Sequence, residues 1–375
     1  MNISNTNASN TNASKMNAGD MNAKKRILSA LNGGRVDRIP AWLPVVPVTV
    51  SMMEIAKAPW PLSHSNPEQM ARLAAMPWEL AGLPTATVPF CLSLEAEALG
   101  CQLDWGTLNR TPSVKGPAFT KPDEFGVPEN LLERGRIMTA LKAIEILQEH
   151  LGEKIVINAK VTGPFTIAGH IFGVGNFLSW IKTHPESVHE AMSRTVEVTK
   201  ELAGAFLAHG ADVISISDPT SSGDLLSRKY YEEFVFPYHK DVAASIKAPS
   251  TLHICGYTRE LLPHIRHTGF DGFSFEEKVD VLTAKKILGD EISLIGNVSP
   301  VATMLQGTPE KVTTDAVACM QNGIDLLSSG CTLSPLTPLE NIRALVKAAE
   351  QYQLPRGPEE QLREFGRGLA AGRSE

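Results

Sequence analysis

Residues 154–161 read Lys-Ile-Val-Ile-Asn-Ala-Lys-Val and residues 212–217 read Asp-Val-Ile-Ser-Ile-Ser, two β-rich runs with a long helical pattern between them. The helical pattern begins at Pro185 and is predicted to run to about Ala208, because Gly210 stops it. A strand, a long helix and a second strand in this order are typical of a parallel sheet, since parallel neighbours need a long crossover connection. This unit predicts the fold class, and the rest of the chain repeats it.

The same alternation of short β-rich runs and longer helical patterns continues from Lys24 onward, and eight β-rich runs can be counted. They are residues 39–46, 84–90, 154–161, 212–217, 250–255, 270–275, 292–297 and 324–329. Several of them lack polar alternation, as parallel strands that are covered on both faces do. Eight alternations predict a closed (β/α)8 barrel, the TIM barrel, with a doubly wound open sheet as the alternative.

Three further helix starts place a proline at or near the first helical position. They are Asn66-Pro67-Glu68, Thr308-Pro309-Glu310 and Thr337-Pro338-Leu339-Glu340. The last of them reads as a capping box, in which Thr337 and Glu340 satisfy each other's backbone amides.

The boundaries of the barrel follow from where the alternation breaks. Residues 92–128 are rich in turns, so we predict an insertion after the second strand that lies over the barrel mouth, followed by a helix over 131–151. Residues 1–23 hold seven Asn and a short tandem repeat with almost nothing to bury, which predicts a disordered tail. Residues 24–375 are predicted to form one barrel domain.

The composition disfavours several classes of protein. Lys and Arg number 35 against 41 Asp and Glu, a net charge of −6, so a broad basic surface for nucleic acid is not expected. The longest stretch without charged residues, 161–181, is too polar for a membrane span. The first 25 residues contain no apolar segment of the signal-peptide type, so a cytoplasmic location is expected. Five cysteines are then expected to be free thiols or metal ligands.

The carboxyl ends of the strands are the expected place for chemistry, because the loops there converge on one mouth. His253 and Cys255 are two residues apart on one run, so an imidazole and a thiol project from the same face. The last run leads into Cys331, a third soft ligand at the same end of the barrel. Such a set suits a zinc ion with one open position. The alternatives are plain packing of these side chains, or a closed structural zinc completed by Cys91 or Cys101.

An open zinc site of this composition favours one kind of reaction. Two thiolates and a neutral imidazole leave the ion with little net charge, which makes it a poor activator of water but a good host for another thiol. Because the ion lowers the pKa of the incoming thiol, alkyl transfer to sulfur is expected rather than hydrolysis.

Other polar groups are predicted at the strand ends: Asp218, Glu276, Glu277 and Asn297. Each has the alternative role of capping a helix or pairing with a basic residue. Asp218 and Glu276 are the candidate catalytic residues, and Glu276 is preferred. A carboxylate there is expected to orient His253, to accept the thiol proton, or to occupy the open metal position.

Several short motifs are shared with one known family. They are Ala58-Pro59-Trp60-Pro61, Asn66-Pro67-Glu68, Thr251-Leu252-His253-Ile254-Cys255-Gly256, Glu276-Glu277-Lys278, Gly296-Asn297-Val298, and Gly330-Cys331 followed by Thr337-Pro338-Leu339-Glu340-Asn341. Over roughly residues 22–350 the chain resembles the uroporphyrinogen decarboxylase superfamily and, within it, the zinc-dependent methylcobamide:coenzyme M methyltransferases.

The resemblance implies a (β/α)8 barrel with zinc at His253, Cys255 and Cys331. It implies transfer of a methyl group from a methylated corrinoid to the thiol of coenzyme M, which gives methyl-coenzyme M for methane formation. No Asp-x-His-x-x-Gly element of corrinoid-binding domains occurs in the sequence, so the methylcobamide is expected to come on a separate corrinoid protein.

Two departures from the family pattern keep alternatives open. Residues 44–50 read Pro-Val-Val-Pro-Val-Thr-Val and lack the Arg with which uroporphyrinogen decarboxylases hold substrate carboxylates. Residues 326–330, Leu-Leu-Ser-Ser-Gly, are more polar than the usual family version. The alternatives are another acceptor, homocysteine or tetrahydrofolate, a decarboxylase of the same superfamily, and a non-enzymatic barrel that binds a corrinoid protein or stores metal.

Overall fold

The computed structural model describes residues 21–354, and a seven-stranded parallel sheet lies at its centre. Its strands are β1 (Thr85–Val88), β2 (Val156–Thr162), β3 (Val213–Ser217), β4 (Ser250–Ile254), β5 (Gly272–Phe275), β6 (Ser293–Val298) and β7 (Leu326–Ser329). Each strand coincides with a predicted β-rich run to within two residues. The strands pair in chain order without a reversal, so the doubly wound alternative, which needs a point where the strand order switches, is wrong.

The remaining predicted run, residues 39–46, closes the curled sheet without forming a full strand. Ala41 makes a parallel bridge to Leu327 of β7, and the N–H of Leu327 donates to the Pro40 carbonyl at 2.9 Å. On the other side, the Asn158 amide of β2 donates to the Pro44 carbonyl at 3.0 Å. Because prolines have no amide hydrogen, the ladder cannot continue along this run. The predicted (β/α)8 barrel is confirmed, with its first strand reduced to this closing segment (residues 39–48).

Helices surround the sheet. Those in the described residues are α1 (Ala23–Leu31), α2 (Val50–Ala56), α3 (Pro67–Ala81), α4 (Leu94–Ala98), α5 (Ile137–Leu151), α6 (Pro164–Phe172), α7 (Val174–Thr183), α8 (Pro185–Ala208), α9 (Arg228–Phe234), α10 (Phe236–Ser245), α11 (Leu262–Ile265), α12 (Val281–Leu288), α13 (Pro309–Gln321) and α14 (Leu339–Gln351). The predicted starts of α3, α8 and α13 are confirmed. Asn66 and Thr308 cap the first and the last of these three through side-chain oxygens.

Two helix predictions need correction. The helix predicted over 131–151 begins only at Ile137, because Gly135 takes a positive φ of 54° and separates α5 from a short 3-10 turn. The capping box predicted at Thr337 does not form: Pro338 is the N-cap residue of α14, and the Thr337 hydroxyl is buried without a hydrogen-bond partner in residues 21–354.

The amino-terminal helix α1 was not predicted, and it covers the amino end of the barrel. Ile27 and Leu31 pack against Trp42 and the first residues of several strands. Residues 1–20 of the predicted tail lie outside the described residues, as do 355–375. The predicted limit of the tail at residue 23 is wrong, since the Asn22 side chain caps α1 by accepting from an amide of its first turn.

The interior of the barrel is polar. The Thr251 hydroxyl donates to Ser215 at 2.9 Å, Ser215 donates to Asn158 at 2.8 Å, and all three side chains are fully buried. Two residues further along the same strands, on the same interior face, stand Lys160, Ser217 and His253. The layer nearest the mouth therefore carries chemically active side chains.

The insertion after β1 forms part of that mouth, as predicted. Residues 92–128 contain α4, a two-stranded antiparallel ribbon (Leu103–Asp104 with Ser113–Val114) and a 3-10 turn. Leu92, Ser93 and residues 111–114 line the cavity at the carboxyl ends of the strands. Among the helices described, none has the length and apolar character needed to cross a membrane.

Candidate metal centre

His253, Cys255 and Cys331 meet at the barrel mouth. His253 Nε2 lies 3.2 Å from Cys255 Sγ and 3.6 Å from Cys331 Sγ, and the two sulfurs are 3.4 Å apart. Tetrahedral zinc, with bonds of about 2.3 Å to sulfur and about 2.0 Å to nitrogen, places such atoms roughly 3.5–3.8 Å apart. The triangle is thus slightly smaller than that of a zinc site, and its donors suit a soft or borderline metal ion.

One side of the triangle faces a cavity of about 320 Å³, which all three residues line. His253 is buried, whereas both cysteines are half-buried. Within residues 21–354, no fourth His, Cys, Asp or Glu places a ligand atom within 4.8 Å of the other three. A closed structural site would need such a donor, so the geometry favours an open one.

Two glycines allow the chain to turn tightly beside the cysteines. Gly256, directly after Cys255, has a φ of +77°, and a Cβ there would collide with the Asp224 carboxylate. A Cβ on Gly330, directly before Cys331, would lie 2.9 Å from the Cα of Glu276. The backbone after β4, β5 and β7 is therefore packed too closely for side chains at these two positions.

The orientation of His253 depends on Ser274, which the sequence did not indicate. The Ser274 hydroxyl lies 3.0 Å from Nδ1 of His253 and is fully buried on β5. Because Nδ1 is engaged by this contact, Nε2 is free to bind a metal ion. Metal-bound imidazoles usually have such a hydrogen-bond partner on their other ring nitrogen. Ser274 therefore orients His253, which was one of the three roles predicted for Glu276. The only signal for Ser274 in the sequence is its position two residues before Glu276.

The two thiols differ in acidity. A hydrogen bond from Cys255, with a further contribution from His253, holds the pKa of Cys331 well below its usual range. The same hydrogen bond, followed by burial, raises the pKa of Cys255. One thiolate therefore forms readily, and a metal ion must displace the second proton to bind both sulfurs.

Glu276 lies at the rim of the site directly after β5. Burial, followed by the charge of Cys331, raises the pKa of its carboxyl group, while the backbone N–H of Gly256 acts in the opposite direction. Asn297 holds this loop by donating to the carbonyls of Val279 at 2.8 Å and Glu276 at 3.3 Å. Glu277 is occupied by a hydrogen bond from Ser299 at 2.6 Å.

Asp218, the other candidate catalytic residue, is directed away from the metal centre. Its carboxylate accepts from the Thr166 amide at 2.7 Å and the Thr166 hydroxyl at 2.6 Å, and His239 Nε2 lies 2.8 Å away. It is fully buried and does not line the cavity. Asp218 therefore caps the amino end of α6, which is the alternative role considered for it.

The structure adds two cavity residues that sequence reasoning missed, Lys160 and His170, and the same cavity is lined by Cys91, which the sequence offered as a fourth ligand of a closed zinc site. Burial lowers the pKa of both Lys160 and His170. Burial disfavours the Cys91 thiolate, but contacts with His64, Arg136 and Ser93 hold the pKa of Cys91 well below its usual range. The one signal in the sequence for Lys160 was its position inside a predicted buried strand, residues 154–161.

The fold and the site define a (β/α)8 barrel with a candidate metal centre at the carboxyl ends of its strands. The family model described as uroporphyrinogen decarboxylase (URO-D) matches residues 22–352. The chain belongs to the uroporphyrinogen decarboxylase family.

Relatives within that family include coenzyme M methyltransferases at 34–38% identity and uroporphyrinogen decarboxylases at 24–26% identity. A methylated-thiol–coenzyme M methyltransferase of Methanosarcina mazei is 38% identical over 353 residues, 94% of this chain and 96% of the relative. A methylcobamide:CoM methyltransferase of Methanosarcina barkeri is 38% identical over 331 residues, 88% of this chain and 98% of the relative. A solved methyltransferase from Methanosarcina mazei superimposes with a TM-score of 0.87 at 37% identity, covering 88% of this chain and 99% of that one. The predicted resemblance is confirmed.

Proposed function

We propose that this chain is a methyltransferase that moves a methyl group from a methylated corrinoid to the thiol of coenzyme M. The observation that carries the proposal is the His253, Cys255 and Cys331 triangle open to a cavity, in a chain similar over most of its length to methylcobamide:CoM methyltransferases. In the reaction the carbon–cobalt bond breaks with its electron pair left on cobalt, the carbon–sulfur bond forms, and the thiol proton is released.

We infer that the metal is zinc, held by His253 Nε2 and the sulfurs of Cys255 and Cys331. Two sulfurs and one nitrogen are zinc's ordinary donors, and three protein ligands are typical of its catalytic sites. Zinc bound there supplies one thing, a lowered pKa for the acceptor thiol. The chain's own residues do the rest: Ser274 fixes the imidazole, and we infer that Glu276, whose pKa is raised by burial and by the charge of Cys331, takes up the thiol proton.

The methyl donor is proposed to arrive on a separate corrinoid protein that docks over the mouth. Of ten exposed large hydrophobic residues in the described chain, six lie in connections that follow the carboxyl ends of strands. We call these six the apolar rim: Trp105, Leu108, Leu225, Tyr257, Val301 and Leu336. Exposed apolar groups collected around a reactive cavity are typical of a protein-binding surface.

A porphyrinogen decarboxylase is the second candidate within the family. Its substrate carries several carboxylates, which need cationic partners. Residues 44–50, at the end of the closing segment and the start of α2, contain no Arg, and a decarboxylase has no use for two thiols beside a histidine. These observations favour the methyltransferase.

The test combines metal analysis with an acceptor screen. Purified protein is expected to contain about one zinc per chain and to demethylate methylcobalamin when coenzyme M is added. Homocysteine and tetrahydrofolate are the alternative acceptors in the same assay. Full activity in metal-free protein, or faster transfer to either alternative acceptor, would contradict the proposal.

A further inference from the structure

Lys160 is a buried lysine at the barrel mouth. It lies on β2 two residues beyond Asn158, is 4% exposed, and lines the same cavity as the metal centre. Within residues 21–354, the ammonium of Lys160 makes no hydrogen bond and has no carboxylate within 4.0 Å. Negatively charged groups therefore act on it only through longer-range electrostatics. An unpaired buried ammonium is strongly unfavourable, so its presence requires a reason.

The anionic groups nearest to Lys160 are engaged elsewhere. Both carboxylate oxygens of Glu95 accept from Thr162, one from its amide at 2.8 Å and one from its hydroxyl at 2.6 Å. Cys91 Sγ lies 3.8 Å from both terminal nitrogens of Arg136 and 3.3 Å from the Ser93 hydroxyl. Neither group therefore supplies Lys160 with a partner.

The metal centre does not neutralise Lys160 either. When both sulfurs of the metal centre are thiolates, Cys255 and Cys331 contribute two negative charges near Lys160, and the divalent ion that they bind cancels these charges. With metal in place, Lys160 shares its cavity with a centre of no net charge, and within residues 21–354 its ammonium has no anion in hydrogen-bonding contact.

We propose that Lys160 is the anchor of an anion subsite that binds the sulfonate of the acceptor while the acceptor's sulfur lies at the metal centre. This inference rests on the proposed function, in which coenzyme M, a thiol and a sulfonate joined by an ethylene spacer, is the acceptor. Lys160, Cys255 and Cys331 line the same cavity of about 320 Å³. Coenzyme M is short enough for its thiol and its sulfonate to lie in this cavity together.

Two further groups complete the subsite. Nδ1 of His170 is buried and has no hydrogen-bond partner in the described part of the chain, and His170 lines the cavity. Ser217 also lines it, and on the neighbouring strand it pairs in register with His253. A sulfonate has three acceptor oxygens, and an ammonium, an imidazole N–H and a hydroxyl are suitable donors for them.

Direct binding of ethanesulfonate tests the subsite, because this probe carries the sulfonate but no thiol for the metal. Titration calorimetry is performed on the zinc-loaded protein, the Lys160→Met variant and the Lys154→Met control, whose exposed lysine precedes β2 at the opposite end of the barrel. We expect Lys160→Met to bind ethanesulfonate at least about 30-fold more weakly and Lys154→Met to bind like the unaltered protein.

Thermal stability separates a binding role from a structural one. Methionine keeps most of the lysine stem and removes the buried charge, so Lys160→Met is expected to raise the melting temperature if Lys160 serves a ligand. A structural ion pair would instead lower the melting temperature of the variant, and that result would overturn the proposal.

Kinetics with two acceptors separate the subsite from the proposed function. Lys160→Met is expected to raise KM for coenzyme M and to leave KM for uncharged 2-mercaptoethanol unchanged. Equal ethanesulfonate affinity in variant and unaltered protein, or no binding to either, overturns the subsite even where coenzyme M is methylated. Lys160-dependent ethanesulfonate binding without methylation of coenzyme M supports the subsite and contradicts the proposed function.

Discussion

The candidate metal centre depends on three single side chains, those of His253, Cys255 and Cys331. The two cysteines are 76 residues apart in sequence, yet their sulfurs lie 3.4 Å apart across the mouth. The barrel around them is held by a large apolar core that does not include these three residues. Removing one ligand should therefore affect the metal far more than the fold.

The variant Cys331→Ala tests this separation. We expect it to lose most of its zinc and its methyl transfer from methylcobalamin, because two remaining donors hold the ion weakly. Its melting temperature should change little. Metal analysis, the methyl-transfer assay and thermal melting followed by circular dichroism measure the three properties.

Cys101→Ala is the matched control for that variant. Cys101 is buried, and burial raises the pKa of its thiol to about 11, but it is not part of the triangle. This control should keep its zinc and activity. Unfolding of Cys331→Ala at ambient temperature would indicate a structural metal site instead.

Ser274 should influence the metal through His253. In Ser274→Ala the Nδ1 atom loses its partner at 3.0 Å, and zinc affinity is expected to fall about 10–100-fold, the usual effect of removing such a partner. Ser274→Thr keeps the hydroxyl and should restore most of the affinity. Competition with a chromogenic chelator measures both variants, and an unchanged affinity in Ser274→Ala would show that Ser274 only packs.

At the scale of elements, a largely buried ion pair between Arg26 and Asp37 ties α1 to the segment that follows it. Arg26 Nε lies 2.5 Å from Asp37 Oδ1, Nη2 lies 2.8 Å from Oδ2, and both side chains are largely buried. This pair joins α1 to the chain that enters the closing segment. Asp37→Asn should lower the free energy of unfolding by about 1–3 kcal/mol, because the Arg26 charge loses its bidentate partner. Denaturant unfolding measures this change in free energy. The control is Glu197→Gln, which removes the partner of Lys200 in a more exposed ion pair.

The same pair predicts a pH dependence. Burial raises the pKa of Asp37, but the hydrogen bond and the charge of Arg26 outweigh this effect and leave the pKa below its ordinary value. A carboxyl whose folded pKa is depressed stabilises the protein above its unfolded pKa and loses that contribution as the pH falls. The difference in unfolding free energy between the unaltered protein and Asp37→Asn should thus be full at pH 7 and shrink below about pH 4. A difference that is independent of pH would contradict the assignment.

Most elements could be predicted from local pattern, and the exceptions have physical causes. The starts of α3, α8 and α13 follow from capping residues and prolines, which act within a few neighbouring positions. The closing segment deviates from a strand because its prolines cannot donate. The start of α5 is delayed by the backbone of Gly135, which a helical hydrophobic pattern does not reveal.

At the scale of the whole molecule, the apolar rim should act in partner binding and not in chemistry. Tyr257→Ser and Leu336→Ser remove exposed apolar groups, 36% and 59% exposed, from two connections at the mouth. We expect a higher KM for the methylated corrinoid protein and an unchanged rate with free methylcobalamin, because the free cofactor does not need the docking surface. Lys154→Ser, at the opposite end of the barrel, is the control. Equal losses with both methyl donors would place the two residues in the reaction itself.

The sequence by itself determined the alternation of strands and helices, the shared face of His253 and Cys255, and the likeness to a methyltransferase family, because these depend on short-range periodicity and on motif identity. Only the tertiary structure decided that Ser274 orients His253, that Asp218 caps α6, and that Lys160 has no hydrogen-bond partner among residues 21–354. The reason is geometric: the neighbours of a side chain inside a closed barrel come from adjacent strands tens of residues away, and which of them lie within hydrogen-bonding distance depends on register and closure rather than on local sequence.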